Sequence, residues 1–375
     1  MSGDAVATAP RLGRRGRLVL AAVIVLAAAA FVAYAIDLGR ILSVLSRADR
    51  PLVAVALTLA LAGIACWSEA IRSLLPPEGA SVTRRRGFLV YATGSMVRNV
   101  VPVGYASSIG VLSFVYRREA SLSFHRSLAA VSVAELLVAM ASMGVAVIGI
   151  ALFGLQGPAP PLVRWLGIGV TVLAIGATLA GAVAWHRRTA VERLARVAAG
   201  LFARVLGRLT PGLGGRLTPA AIEHSLGEYA VALSRVSARR RTLVGALALA
   251  FAGWGALVGS LYVSGLAVGF RLPLAVALLV VPIAGYATVL PVPGGLGGYE
   301  LGVAGVLHYL GGLDPAAALA VTLLFRICSF WAVIAVGAVA SAALSVDVRG
   351  LAGTAMERGE PSPSGESGDG ASDDG

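Results

Sequence analysis

The sequence contains no lysine, and only 13% of its 375 residues are charged. All 31 basic residues are therefore arginine, and the formal net charge is +12. With 57% hydrophobic residues and a mean hydropathy of +0.84, this low charge content excludes an ordinary soluble domain and is typical of a polytopic membrane protein. Arginine concentrates between apolar segments, as the positive-inside rule expects, so the basic charge does not predict nucleic-acid binding.

Cysteine and histidine are also scarce. Cys66 and Cys328 both lie in apolar segments, and the four histidines form no cluster with metal-ligand spacing. The chain has no Walker A motif and no G-x-S-x-G motif, and its longest polar segment is the loop at residues 186–241. This loop is too small for a catalytic domain, so we expect neither an enzyme, nor a bound metal, nor a cofactor.

The most unusual segment runs from Pro291 to Glu300 and reads PVPGGLGGYE. It interrupts apolar sequence at residues 274–290 and 301–310, and the second of these stretches is shorter than the about 20 residues that a spanning helix needs. Irregular backbone within a membrane is tolerated only where it is buried in protein or lines a wet cavity. The segment therefore predicts a re-entrant, functional break, and a plain turn between two spans is the alternative. Its candidate site residues are Pro293, Gly294, Gly295, Gly297 and Glu300.

A second break lies in the first part of the chain. Apolar residues 88–97 and 109–116 are separated by a segment that contains Asn99, Pro102 and Gly104. Arginines flank both ends of this region, so we expect residues 88–116 to enter and leave the membrane on the cytoplasmic side as a re-entrant hairpin.

The remaining apolar segments predict an all-α polytopic membrane protein with six full spans and two re-entrant broken hairpins. Two candidate site residues lie within spans, namely Glu135 and Arg326, and ionisable groups at such positions are functional candidates by default. A short amphipathic helix at residues 37–50 is expected along the outer interface. The six predicted spans cover residues 18–36, 52–71, 128–153, 162–185, 243–268 and 316–344.

The domain organisation follows from these spans. A basic cytoplasmic N-terminus at residues 1–17 precedes a first membrane half at 18–153, and an outer loop at 154–161 leads to a second half at 162–344. The arginine-rich loop at 186–241 is expected in the cytoplasm, with helices near 191–206 and 219–236 lying on anionic headgroups. Residues 345–375 are predicted to form a disordered cytoplasmic tail.

The two halves follow the same order of spans and hairpin, and three crossings per half would give them opposite orientations. The spacing agrees, because the interval from Pro102 to Glu135 equals the interval from Pro293 to Arg326 (135 minus 102 equals 326 minus 293). We therefore expect an inverted repeat, which is a recurrent basis of alternating access in transporters.

The segment 291–300, the sequence NVVPVG at residues 99–104, Glu135 and Arg326 together resemble a known family, over residues 18–344. This is the membrane domain of lysylphosphatidylglycerol synthases and its free-standing, flippase-like relatives. The sequence departs from the family pattern at Tyr105, where a carboxylate is common, and at Leu136, where an arginine is common.

The resemblance implies translocation of a polar lipid across the plasma membrane, for example an aminoacylated phospholipid or a polyprenyl-phosphate-linked lipid. Membrane lipids are then the expected partners, and the oligomeric state stays open. The ten candidate residues would line the path of the headgroup, with Glu300 pairing with a cationic headgroup or with Arg326. A structural ion pair between Glu135 and Arg326 is the alternative to substrate contact. The alternative function is a non-catalytic membrane subunit that supports a separate aminoacyl or glycosyl transferase.

Overall fold

The described part of the chain is helical, with no strand among its residues. The computed structural model describes residues 38–78, 81–100, 104–155, 219–286 and 293–344, together with isolated positions between 161 and 176. The predicted spans at 18–36 and 162–185 lie wholly or largely outside these residues, as do the helix near 191–206 and both chain ends. The helices are α1 (Leu38–Ser46), α2 (Arg50–Leu74), α3 (Arg84–Val100), α4 (Gly104–Ala120), α5 (Phe124–Leu155), α6 (Pro219–Ala238), α7 (Arg240–Ala267), α8 (Leu274–Tyr286), α9 (Gly298–Tyr309), α10 (Pro315–Arg326) and α11 (Ala332–Ala343).

Among the described residues, four helices are long and apolar enough to cross a membrane. They are α2, α5, α7 and the continuous helix Pro315–Ala343 that contains α10 and α11, with 25, 32, 28 and 29 residues. At about 1.5 Å per residue, each exceeds the roughly 30 Å of a bilayer core. These candidate spans coincide with four of the six predicted spans, those at 52–71, 128–153, 243–268 and 316–344, and they support a helical membrane protein.

Two of these spanning helices begin with the same local signal. Asp49 precedes α2 and its carboxylate accepts a hydrogen bond from the backbone N–H of Leu52 at 3.2 Å. Asp314 precedes α10 and its carboxylate accepts from two backbone N–H groups of the first turn at 3.2 Å. Each helix also has a proline in its first two positions, where the missing N–H costs no intrahelical bond.

The remaining helices of the core form two pairs of short arms. The arms of the first pair, α3 and α4, have 17 residues each, and those of the second pair, α8 and α9, have 13 and 12. At about 1.5 Å per residue they are roughly 18–26 Å long, which is less than the bilayer core. A tight turn at Pro293–Gly295 lies between α8 and α9. Both predicted breaks therefore fall between helices that are too short to cross the core alone.

The same order of elements occurs twice along the chain. A first helix, of 9 residues in α1 and 20 in α6, is followed by a long helix, two arms and a second long helix both in α1 to α5 and in α6 to α11. Helices α2, α3 and α5 begin at residues 50, 84 and 124, and α7, α8 and α10 begin at 240, 274 and 315. The shift in numbering from each helix to its counterpart is the same for the first two pairs and one position longer for the third (240 minus 50, 274 minus 84, and 315 minus 124).

Packing between the helices follows the same order. Helix α2 packs on its counterpart α7, α3 packs on α11, and α8 packs on α5. Each first arm thus lies against the last span of the other half. Helices α1 and α6 also pack on the opposite half, since α6 packs on α5 and α1 packs on α10.

Small residues allow α2 and α7 to cross closely. A methyl group added at Gly63 would lie 3.0 Å from the carbonyl oxygen of Gly253. Near this crossing, the Ser260 hydroxyl donates a hydrogen bond to the carbonyl oxygen of Ala56 at 2.8 Å. Close backbone approach and interhelical hydrogen bonds are the usual means of helix association in membranes, where the hydrophobic effect contributes little between spans.

Helices α1 and α6 confirm that the predicted segments 37–50 and 219–236 contain helices. Helix α1 covers the central part of the predicted segment 37–50, and Ile41 on its inner face is buried while Leu42 is 58% exposed. Helix α6 covers the predicted segment 219–236. The placement of either helix on a membrane surface stays a prediction.

Candidate functional site

Glycine at three positions shapes the second broken segment. Gly294, Gly295 and Gly297 have φ angles of 58°, 65° and 85°, a region that side chains with a Cβ rarely adopt. Gly294 also lies close to its neighbours, since an added methyl group would overlap the ring of Phe330 and come within 3.2 Å of the Asn99 carbonyl oxygen. The turn that begins at Pro293 therefore contacts the end of α3 directly.

Glu300 is held by both of its carboxylate oxygens. It is the third residue of α9, and Oε2 accepts a hydrogen bond from the backbone N–H of Gly297 at 2.7 Å. This bond is the reaching-back half of a capping box at the start of the helix. The other oxygen, Oε1, accepts a hydrogen bond from Nε of Arg326 at 2.6 Å.

Arg326 is almost completely buried, with 4% of its surface exposed. It is the last residue of α10, and a π-helical segment, Ile327–Trp331, follows directly. Its guanidinium donates to Glu300 and, through Nη2, to the Gly294 carbonyl oxygen at 2.9 Å. The guanidinium carbon also lies 4.5 Å from the Tyr299 ring centroid and 3.8 Å from that of Phe330. The charge is thus balanced by one carboxylate, one carbonyl and two aromatic faces.

A second buried ion pair joins the first broken segment to α5. Nη2 of Arg98 donates to Oε1 of Glu135 at 2.6 Å, and the side chains are 18% and 5% exposed. Nε of Arg98 also donates to the Ser108 hydroxyl at 3.2 Å. This pair therefore connects α3, α4 and α5 through three side chains.

The two ion pairs occupy corresponding places in the two halves. Glu135 is the twelfth residue of α5, which begins at 124, and Arg326 is the twelfth residue of α10, which begins at 315. The signs are exchanged, since the span of the first half carries the carboxylate and that of the second half carries the guanidinium. The pairs are also neighbours, because Gly294 accepts from Arg326 and lies against the backbone of Asn99, the residue after Arg98.

The structure places the candidate residues as follows. The pairing of Glu300 with Arg326 is confirmed, but the alternative pairing of Glu135 with Arg326 is wrong, because each bonds an opposite charge from the broken segment of its own half. Gly104 begins α4, and Pro102 lies outside the described residues. Roles of these residues in binding stay predictions.

Arg98 was missed as a candidate from the sequence. It directly follows apolar residues 88–97, and at this position the sequence does not distinguish it from the other residues that interrupt the apolar segment. An arginine at the inner end of an apolar arm, with a lone carboxylate in the next span, is the signal that would have pointed to it.

Comparison with known protein families identifies the family of the chain. The family model described as the lysylphosphatidylglycerol synthase TM region matches residues 18–337. The chain belongs to this family. The match covers both broken segments and both ion pairs, and it confirms the family resemblance carried by segment 291–300. No curated protein matches the chain.

In this member of the lysylphosphatidylglycerol synthase TM family, the site offers two guanidinium groups and two carboxylates within apolar helices. A guanidinium binds a phosphate or carboxylate through two parallel hydrogen bonds, and a carboxylate binds an amine. The site therefore contains both a group type that binds anions and a group type that binds amines.

Proposed function

We propose that the chain translocates a polar lipid across the cell membrane, with the headgroup passing the two buried ion pairs. An aminoacylated phospholipid or a polyprenyl-phosphate-linked lipid fits this chemistry. The observation that carries the proposal is the pairing of Arg98 with Glu135 and of Arg326 with Glu300 where the two broken segments meet.

Buried ion pairs support a functional role because they add little stability. The cost of removing two charges from water roughly cancels their attraction, and an apolar pair of similar volume is often as stable. Ionisable side chains within spans are correspondingly rare, and they mark substrate and ion pathways. A headgroup phosphate would take the place of Glu300 on Arg326, and the freed carboxylate would receive a cationic group or a proton.

We propose further that the two halves form an inverted repeat with two re-entrant hairpins. The repeated order of helices, the nearly constant shift in numbering between corresponding helices and the reciprocal packing of each first arm on the opposite span support this. With the expected spans at 18–36 and 162–185, each half crosses the membrane three times. The hairpins then open to opposite sides, and both chain ends lie in the cytoplasm.

The proposal assigns no chemical reaction to the chain. No ATPase motif is present in the sequence, so transport would be facilitated or coupled to an ion. An aminoacyl or glycosyl transferase that makes the lipid would be a separate protein.

The leaflet distribution of labelled lipids in proteoliposomes tests the proposal. Wild type should move one headgroup class faster than empty vesicles do, and Glu300→Gln should abolish this movement because the carboxylate that balances Arg326 is lost. Glu119→Gln is the matched control, since Glu119 pairs with Arg86 at 3.4 Å at the end of α4, away from the broken segments. If wild type moves no lipid faster than empty vesicles, the proposal fails and the alternative of a membrane subunit supporting a separate transferase is favoured.

A further inference from the structure

A polar cavity lies at one end of the helices, apart from the two ion pairs. Its volume is about 550 Å³, within the range of roughly 300–1,000 Å³ that is usual for ligand sites. It is a half-open cavity, lined by α6, by the start of α5, by the loop between α4 and α5, and by Glu78 after α2.

The loop that forms one wall has a defined structure. Ser121 has a φ of 52°, and the backbone N–H of Leu122 donates to the carbonyl of Arg117 at 3.1 Å, as in a Schellman motif at the end of α4. The Ser123 hydroxyl accepts from the backbone N–H of Arg126 at 3.4 Å and so caps α5. The cavity thus lies at the positive end of the α5 dipole, with two serine hydroxyls in its wall.

Two guanidinium groups line the cavity from different helices. Arg126 on α5 and Arg235 on α6 form no ion pair with a carboxylate of the described residues. Glu228 of the same wall is engaged with Nδ1 of His125 at 2.8 Å. Glu78 is the remaining carboxylate in the lining. Within the described residues, the two arginines therefore have no carboxylate to displace before they bind an anion, and Glu78 disfavours a ligand with a second negative charge.

Distances along α5 relate the depth of the cavity in the membrane to the depth of Glu135. His125 lies near the start of α5 and Glu135 almost three turns further along, which is about 15 Å along the helix axis. This is half of a bilayer core of roughly 30 Å, so a mid-depth Glu135 places the cavity at the membrane surface. The same end of the helices carries further arginines, at positions 84–86, 117, 118 and 239–241.

We propose that this cavity binds the phosphate group of an anionic phospholipid, as a site separate from the transport path. Arg126 and Arg235 donate to the phosphate oxygens, and the hydroxyls of Ser121 and Ser123 add further donors. A phosphodiester carries a single negative charge, which suits two guanidinium groups beside the carboxylate of Glu78. The proposal does not depend on the transport function.

Binding of dye-labelled phosphatidylglycerol to the purified full chain in detergent, followed by fluorescence anisotropy, tests this site. Arg126→Gln and Arg235→Gln should each weaken binding by at least about tenfold, because each removes a charge-assisted hydrogen bond. Arg118→Gln is the control, since Arg118 is exposed at the end of α4 and does not line the cavity. Glu78→Gln should tighten binding, because it removes the opposing charge.

The proposal is overturned if both cavity variants bind as Arg118→Gln does, or if Glu78→Gln weakens binding, which would show that the Glu78 carboxylate does not oppose the phosphate. Competition with inorganic phosphate distinguishes a phospholipid headgroup from a soluble phosphate compound as the ligand of the cavity. Displacement of the labelled lipid by inorganic phosphate at similar concentrations would overturn the lipid assignment in favour of a soluble phosphate compound. Thermal unfolding of each variant serves as the folding control, and exposed Arg235 carries the test if Arg126→Gln does not fold.

Discussion

The four charged side chains of the site are held almost entirely by protein groups. Glu135 and Arg326 are 5% and 4% exposed, and each bonds an opposite charge at 2.6 Å. A buried charge left without its partner is far more costly than a buried pair. These residues are therefore expected to act as pairs, both in folding and in transport.

Single substitutions in the first pair should destabilise the protein more than a double substitution. Arg98→Met or Glu135→Leu alone should each cost about 3–5 kcal/mol in the free energy of unfolding, because one buried charge stays uncompensated. The double variant should lie close to wild type. Thermal unfolding in detergent checks this, and a double variant no more stable than the singles would show that the pair contributes net stability.

At the residue scale, the sequence identified the charged residues of the site better than it identified the residues with which they form ion pairs. Glu135, Glu300 and Arg326 could be identified because a charge within apolar sequence is conspicuous. The partner of Glu135 could not, because Arg98 is 37 residues away and the two meet only where α3 and α5 both pack on α4.

Among the elements, the turn between α8 and α9 is the most constrained. Gly294 combines a positive φ with close contacts to Phe330 and Asn99, whereas Gly297 has a positive φ in open space. Gly298 has neither constraint. The three glycines therefore differ in what an added methyl group would meet.

Alanine substitutions at these glycines should follow that order. Gly294→Ala should lower the unfolding temperature most, because the methyl group overlaps a ring. Gly297→Ala should cost about 1–3 kcal/mol from backbone strain alone. Gly298→Ala, the matched control at the first position of α9, should be tolerated. A Gly298→Ala variant as unstable as Gly294→Ala would contradict this description of the turn.

The ends of helices could be predicted from the sequence where polar residues or prolines stand at them. The predicted spans at 52–71 and 316–344 lie within a few residues of Arg50–Leu74 and Pro315–Ala343, since an aspartate and a proline begin each helix. The π-helical segment Ile327–Trp331 had no such mark, because all but one of its residues are apolar and its hydrogen-bond register depends on packing. Its place beside Arg326 is typical of functional sites.

For the whole molecule, the repeated order of helices has a topological consequence. If the halves are inverted, the two breaks are reached from opposite sides of the membrane. The sequence predicted the repeat from the spacing of two prolines and two charges. It could not predict that α3 and α8 pack on spans of the opposite half, because contacts between distant segments leave no local pattern.

Cysteine labelling from each side of the membrane tests this topology. In a Cys66→Ala, Cys328→Ala background, Ser107→Cys should react with a membrane-impermeant reagent from the cytoplasmic side and Gly298→Cys from the outside. Both positions lie near the breaks, at the starts of α4 and α9. The opposite labelling pattern, or reaction of both cysteines from one side, would contradict the inverted repeat.

The central claim is that the buried ion pairs form the path of a lipid headgroup and do not merely hold the helices together. The measurement that tests it most directly is the initial rate of lipid translocation in proteoliposomes by the double variant Arg98→Met, Glu135→Leu, with correct folding verified by thermal unfolding. A folded double variant that moves no lipid, beside an active wild type, is the predicted result. A folded double variant that moves lipid at the wild-type rate would contradict the claim and leave this ion pair a structural role only.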